Sequence, residues 1–145
     1  MPIPSYVVRS TGLSASNTII NVGGGGVPNG TYVCTASESV GDVVYINSSG
    51  NAERADADAL TSLPAIGMIS AKDGDTSCTV QFGAELEITR TPDLLPGRRY
   101  YVHSLGAIHT PEDGFSAKAY WQVVGFAKTS SVLVLTFGAV IPIGA

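Results

Sequence analysis

The stretch GDVVYINSSGN, which begins at Gly41, is written a second time as GRRYYVHSLGA, which begins at Gly97. Laid over one another without a gap, the two match Gly41 to Gly97, Tyr45 to Tyr101, Ser48 to Ser104 and Gly50 to Gly106. Each copy reads as an alternating strand, a polar turn with glycine and a further strand, which is the pattern of a β-hairpin. The correspondence runs on downstream. PAIGMIS and QVVGFAK both set a glycine, Gly67 or Gly125, inside an apolar strand, where it suggests a bulge or a sharp bend. FGAELEI and FGAVIPI then match Phe82, Gly83, Ala84 and Ile88 to Phe137, Gly138, Ala139 and Ile143. One unit of this size buries too little surface to stand alone, so the repetition constrains the chain to complete a single core from two copies, 41–88 and 97–143.

Valine, isoleucine, threonine and tyrosine cluster in short runs between glycine, proline, asparagine and aspartate, and almost nothing has helical periodicity. The expected fold is all-β: a sandwich- or barrel-like body of two pseudo-repeated meander units over residues 31–145, preceded by an extended N-terminal arm over residues 1–30. The one short helical candidate is DADAL, Asp56 to Leu60, which reads equally as a loop. In the arm, SYVVR and NTIINV are apolar enough to pair with something, and the four glycines that follow are free of dihedral restraint. The arm is therefore expected to order on docking to a neighbouring subunit or shell through Tyr6, Val7, Val8, Ile19, Ile20 and Val22, with Gly23, Gly24, Gly25 and Gly26 as its hinge.

Charged residues are 14% of the chain against the ~25% typical of soluble domains, so much of the surface is uncharged or covered by another chain. A net charge of −4 and one adjacent basic pair, Arg98-Arg99, argue against nucleic acid as a partner. The most apolar run, SVLVLTFGAVIPIGA, is too short to span a bilayer and is broken by Gly138 and Pro142, so no membrane partner is expected. The N-terminus holds two prolines and no apolar stretch of the signal-peptide kind, which points to synthesis in a cytosol. Cys34 and Cys78 lack the close spacing of a zinc or redox pair. They read as buried thiols packing as small hydrophobes, with a disulfide as the alternative.

Chemistry is hard to find. His103 and His109 flank the second hairpin turn, but a metal there needs a third ligand, for which Glu112 and Asp113 are the candidates. Glu53, Asp56 and Asp58 form an acidic group. Asp73 and Asp75, in KDGDTS, suit a hairpin turn better than a calcium loop. No G-x-S-x-G elbow is present. Tyr45, Tyr100, Tyr101, Tyr120 and Trp121 are the material for a sugar-binding platform, although Tyr100 and Tyr101 must face opposite sides of their strand. No catalytic residue, metal or cofactor is expected.

Two stretches carry a family resemblance: VGDVVYINSSGNAERADADA through LPAIGMIS to CTVQFGAELEI, and LLPGRRYYVHSLGAIHTPED through VVGFAKTSSVLVLTFG. Together, over roughly residues 32 to 143, they resemble the head decoration, or cement, proteins of tailed bacteriophages and related small phage virion proteins. The resemblance implies a homotrimer on the outer surface of an assembled head. Its partner would be the major capsid protein, and it would clamp neighbouring capsomers by buried interface without catalysis. The expected location is the virion, after synthesis in the host cytoplasm. The arm before Tyr32 has no counterpart in the resemblance. The alternative is a tail, spike or fibre module that binds a host-surface glycan.

Overall fold

The computed structural model describes residues 27–111 and 118–143. Five strands, β1 (Asn29–Val33), β2 (Val43–Ile46), β3 (Ala52–Arg54), β4 (Gly67–Lys72) and β5 (Ser77–Gln81), form one sheet in the order β1-β5-β4-β2-β3. A second sheet takes β6 (Ala84–Glu87), β7 (Arg99–Val102), β8 (Ile108–His109), β10 (Val123–Ala127) and β11 (Val132–Leu135) in the order β6-β11-β10-β7-β8. A two-stranded ladder joins β9 (Tyr120–Trp121) to β12 (Ile141–Pro142). The pairings are antiparallel throughout. The chain is all-β, and its only helix among the described residues is a single 3-10 turn, Leu60–Ser62.

The two sheets have the same strand order, with β2 answering to β7, β3 to β8, β4 to β10, β5 to β11 and β1 to β6. The likeness reaches individual hydrogen bonds. Asn47 N–H donates to the Asn51 carbonyl and His103 N–H to that of Ala107, both at 2.9 Å. Gly41 and Asp42 share Ile69 as a partner just as Gly97 and Arg98 share Ala127. Val43 lies opposite Met68 and Val44 opposite Gly67; Arg99 lies opposite Phe126 and Tyr100 opposite Gly125. The matched turn glycines Gly41, Gly50, Gly97 and Gly106 all have φ between 81° and 94°, the region that L side chains avoid. The matched strand glycines have a different cause. A Cβ on Gly67 would lie 2.3 Å from Val80, and one on Gly125 only 2.0 Å from the Val134 carbonyl oxygen, so both admit close approach of the next strand.

Two features depart from the sequence reading, and a third settles an alternative it left open. Within each unit the chain makes a hairpin, returns to the far side of that hairpin's first strand, and only then adds the next strand, so the order is not that of a plain meander. The strand expected to end the first repeat, β6, crosses over and becomes the outer strand of the second sheet on β11. Its place at the edge of the first sheet is held by β1 on β5. Finally, of the two readings open for Asp56 to Leu60 the loop holds: only Leu60 is helical, as the first residue of the 3-10 turn. The Asp56 carboxylate accepts from Asp58 N–H at 2.9 Å, fixing an aspartate turn, while Ala57 donates to the His103 carbonyl and accepts from Tyr120 N–H. Backbone groups used across the fold in this way are unavailable to an i→i+4 ladder.

Alternation along β2 explains how the core divides. Val44 faces a cluster with Cys34, Ala52, Ile69, Cys78 and Val80 inside the first lobe, residues 27–81. Its neighbour Val43 points the other way, with Met68, into a larger cluster containing Tyr100, Val102, Val124, Leu133 and Leu135 of the second lobe. Complete burial of a side chain such as Val43 or Met68 contributes about 1.5–3 kcal/mol. Hydrogen bonds close the seam: Val43 N–H to the Gly106 carbonyl at 2.9 Å and Gly106 N–H to the Ala55 carbonyl at 2.8 Å.

Candidate functional site

The hairpin of β7 and β8 gathers the chain's polar and aromatic side chains at the seam. Tyr101 is paired across the ladder with His109, and Val102 with Ile108. His103 N–H closes the turn onto Ala107. This register puts His103 and His109 diagonally on one face, where their rings stack with centroids 3.9 Å apart and planes 28° apart. Trp121, on β9, lies against Tyr101 at 5.5 Å in a tilted arrangement. Beneath them, the nearly buried Lys118 donates from Nζ to Ser104 Oγ and, at 2.8 Å, to a carboxylate oxygen of Asp58. The hairpin is thereby tied to the aspartate turn of the first lobe.

Burial lowers the pKa of His103 below the ordinary histidine value, and the nearby His109 and Lys118 push it the same way; Asp58 and Asp56 oppose them. The imidazoles meet face to face, so their lone pairs, which lie in the ring planes, do not converge on a common point between them. Among the described residues no three histidine, cysteine or carboxylate side chains are grouped to hold a metal ion. Glu112 and Asp113, considered as further ligands, lie outside the described residues.

The first lobe shows what the same positions do with other residues. Tyr45 Oη donates to Glu53 at 2.8 Å, and Asn47 Nδ2 donates to the other carboxylate oxygen at 2.5 Å. These bonds, Tyr45 first, lower the Glu53 pKa. Tyr45, Asn47 and Glu53 answer to Tyr101, His103 and His109. The two hairpins thus carry one scaffold with two side-chain sets, one a charged hydrogen-bonded group and the other an aromatic and imidazole stack.

Elsewhere the candidates separate. Asp73 and Asp75 flank Gly74, whose φ of +88° marks the tight β4–β5 turn expected for them. Tyr100 is buried and its hydroxyl accepts from Leu95 N–H at 2.9 Å, so it belongs to the core and not to a sugar platform. Cys34 and Cys78 are buried free thiols in one cluster. Burial and the neighbouring Cys34 push Cys78 up to about 12, which keeps it protonated and inert as a nucleophile. The arm residues Tyr6, Val7, Val8, Ile19, Ile20 and Val22, and the hinge Gly23 to Gly26, lie outside the described residues.

Sequence reasoning missed Gln122. It is buried, and its amide both accepts from Ala65 N–H and donates to the Ala65 carbonyl, each at 2.8 Å, with a further bond to the Gly138 carbonyl at 3.0 Å. The signal was a lone amide inside the apolar run YWQVVGF. No helix among the described residues is long and apolar enough to cross a membrane. In comparisons with protein-family models, curated proteins and solved structures, nothing matches this chain.

Proposed function

We propose that this chain is a virion structural protein of the phage decoration class, a homotrimer that binds the major capsid protein on the outside of an assembled head and stabilises capsomer contacts without catalysis. The observation that carries this reading is the surface of the body. Large apolar side chains, among them Val33, Val40, Leu95, Phe126 and Ile141, stand exposed on a chain with a charged share of only 14%. We read that apolar exposure as surface covered by neighbours in the assembly. The glycine and strand pattern that resembles the decoration proteins points the same way, and three linked contacts would convert weak individual ones into stable attachment. The test is to add the purified protein to capsids that lack it. Saturable binding and a raised capsid melting temperature are expected, and both should fall sharply when residues 1–26 are deleted while the body still melts cooperatively. Absence of binding by the full chain would overturn the reading.

The Tyr101–Trp121 pair beside the stacked histidines favours a second reading, a tail- or fibre-associated module that binds a host-surface glycan through aromatic faces. Binding on a glycan array that is lost in Trp121→Ala would favour it over the first.

A further inference from the structure

A sheet ends in two edge strands, and each edge leaves a row of backbone donors and acceptors that natural proteins cover, shorten or charge. Most edges of this chain follow that rule. β8 has two residues and β3 three, and β3 runs on into Ala55, whose carbonyl accepts from Gly106 N–H across the seam. β6 carries Glu85 and Glu87, and Gln81 Nε2 donates to the Glu85 carbonyl at 3.0 Å. β1 has none of these devices. It is five residues long, Asn-Gly-Thr-Tyr-Val, with no charge and an unbroken register on β5. Cys34 N–H donates to the Thr76 carbonyl, and the Pro28 carbonyl accepts from Phe82 N–H, so alternate residues from Pro28 to Cys34 turn their backbone groups toward β5. Asn29, Thr31 and Val33 therefore turn theirs outward, where no partner stands among the described residues, and all three are exposed.

We propose that this edge is a docking site for the chain's own segment Thr18–Val22, which pairs antiparallel with β1 as the outermost strand of the first sheet. The described chain begins at Val27, two residues ahead of β1, and the segment NTIINV ends just before Gly23 to Gly26. Glycine accepts the left-handed dihedrals that a reversal needs, so this run supplies a short loop between two strands. A partner tethered by so short a loop is favoured over any partner from solution. The faces match as well. Along β1, Gly30 and Tyr32 lie on the side of the first-lobe cluster, where Tyr32 meets Phe82 edge to face at 6.1 Å, and Asn29, Thr31 and Val33 lie on the other. The segment alternates in the same way, with Thr18, Ile20 and Val22 on one side and Asn17, Ile19 and Asn21 on the other. Pairing Ile20 with Tyr32 then sets Asn21 against Thr31, and Ile19 against Val33, which is 56% exposed. Ile19, Ile20 and Val22 thus belong to the chain's own sheet, and Tyr6, Val7 and Val8 are the part of the arm left to reach a neighbour. The inference goes beyond the virion reading and does not rest on it, since the edge closes in the free protein.

Disulfide trapping in the purified full chain, with no capsid present, tests it. Ile19→Cys combined with Val33→Cys, oxidised with diamide, should give an intrachain disulfide between those two positions, seen as a faster-migrating monomer on a non-reducing gel and located by mass spectrometry of the digest. Ile20→Cys combined with Val33→Cys puts the two thiols on opposite faces and should give at least tenfold less of the product. No intrachain disulfide, or equal trapping of the two pairs, would overturn the proposal, because an arm that collides with the body without register links both alike. A disulfide between two molecules would move the segment to a second copy and overturn it equally. Hydrogen exchange reads the same edge without an oxidant. The Thr31 and Val33 amides should exchange at least tenfold more slowly in the native chain than in Ile19→Pro, whose ring removes a donor from the pairing. The Cys34 amide, bonded on the β5 side, should exchange alike in both and so report an intact body. Equal exchange of Thr31 and Val33 in the two proteins would show the edge open and count against the docking.

Discussion

His103 occupies the position held by asparagine in the first lobe, and the exchange gives the molecule a titratable group at its seam. With its pKa lowered by burial, and by His109 and Lys118, the folded protein takes up the His103 proton only below the usual 6.5. Between 6.5 and that lower value the unfolded chain holds more protons, so stability is fully present above about 6.5 and falls as the pH drops through the window. Asp58 and Asp56 limit the loss. The group is partly exposed, so the effect is screened and modest. Replacing His103 with asparagine, the residue its counterpart Asn47 already tolerates, should flatten the fall in melting temperature between pH 7 and about 5 by roughly 1–3 °C. An unchanged acid slope in His103→Asn would place the titration elsewhere.

At the scale of elements, one interruption matters more than any strand. The sequence reads as an unbroken strand from Trp121 to Lys128, whereas the structure divides it at Gln122, whose carbonyl still accepts from Val102 N–H while its side chain takes over the backbone pairing of Ala65. Gln122→Leu keeps much of the volume but strands the Ala65 N–H and carbonyl and removes a donor from Gly138. Urea unfolding should show a loss of about 2–4 kcal/mol. Gln122→Glu, which can still accept from Ala65 but cannot donate, should lose at least as much. The elements themselves were largely legible, because alternation and turn glycines are local signals: the second Tyr-x-x-Ser-x-Gly hairpin lies where its matched glycines said it would. What escaped was non-local. The transfer of β6 to the other sheet depends on which edge is free, and the Ala57 and Gln122 bonds depend on residues over forty positions away. No window of sequence contains that information. The stacked histidines fall between these cases, since the hairpin made their approach readable but not the face-to-face geometry.

For the whole molecule, the duplication sets how the core is shared between the two lobes. Val43 and Met68 show what the lobe contact contributes when it is satisfied, and Phe126 shows the same position left in water. If copies associate as proposed above, folding and association are linked, and the melting temperature should rise with protein concentration. Differential scanning calorimetry over a hundredfold range of concentration should show this for the native chain and not for Phe126→Asp. A melt independent of concentration in both would mean that the body gains nothing from its neighbours.

The crossing of β6 has a consequence for how the chain is made. A ribosome releases residues in order, so the first sheet can close as soon as Gln81 is free, because β1 already fills its edge. Then β6 emerges with nowhere to go. Its partner β11 follows about 50 residues later, which at ordinary translation rates leaves the strand waiting for roughly 2–10 s. During that interval the nascent chain presents an unpaired strand beside other nascent chains on the same message. Glu85 and Glu87 sit on that strand, and their like charges discourage it from pairing with its own copies until the second lobe arrives to receive it.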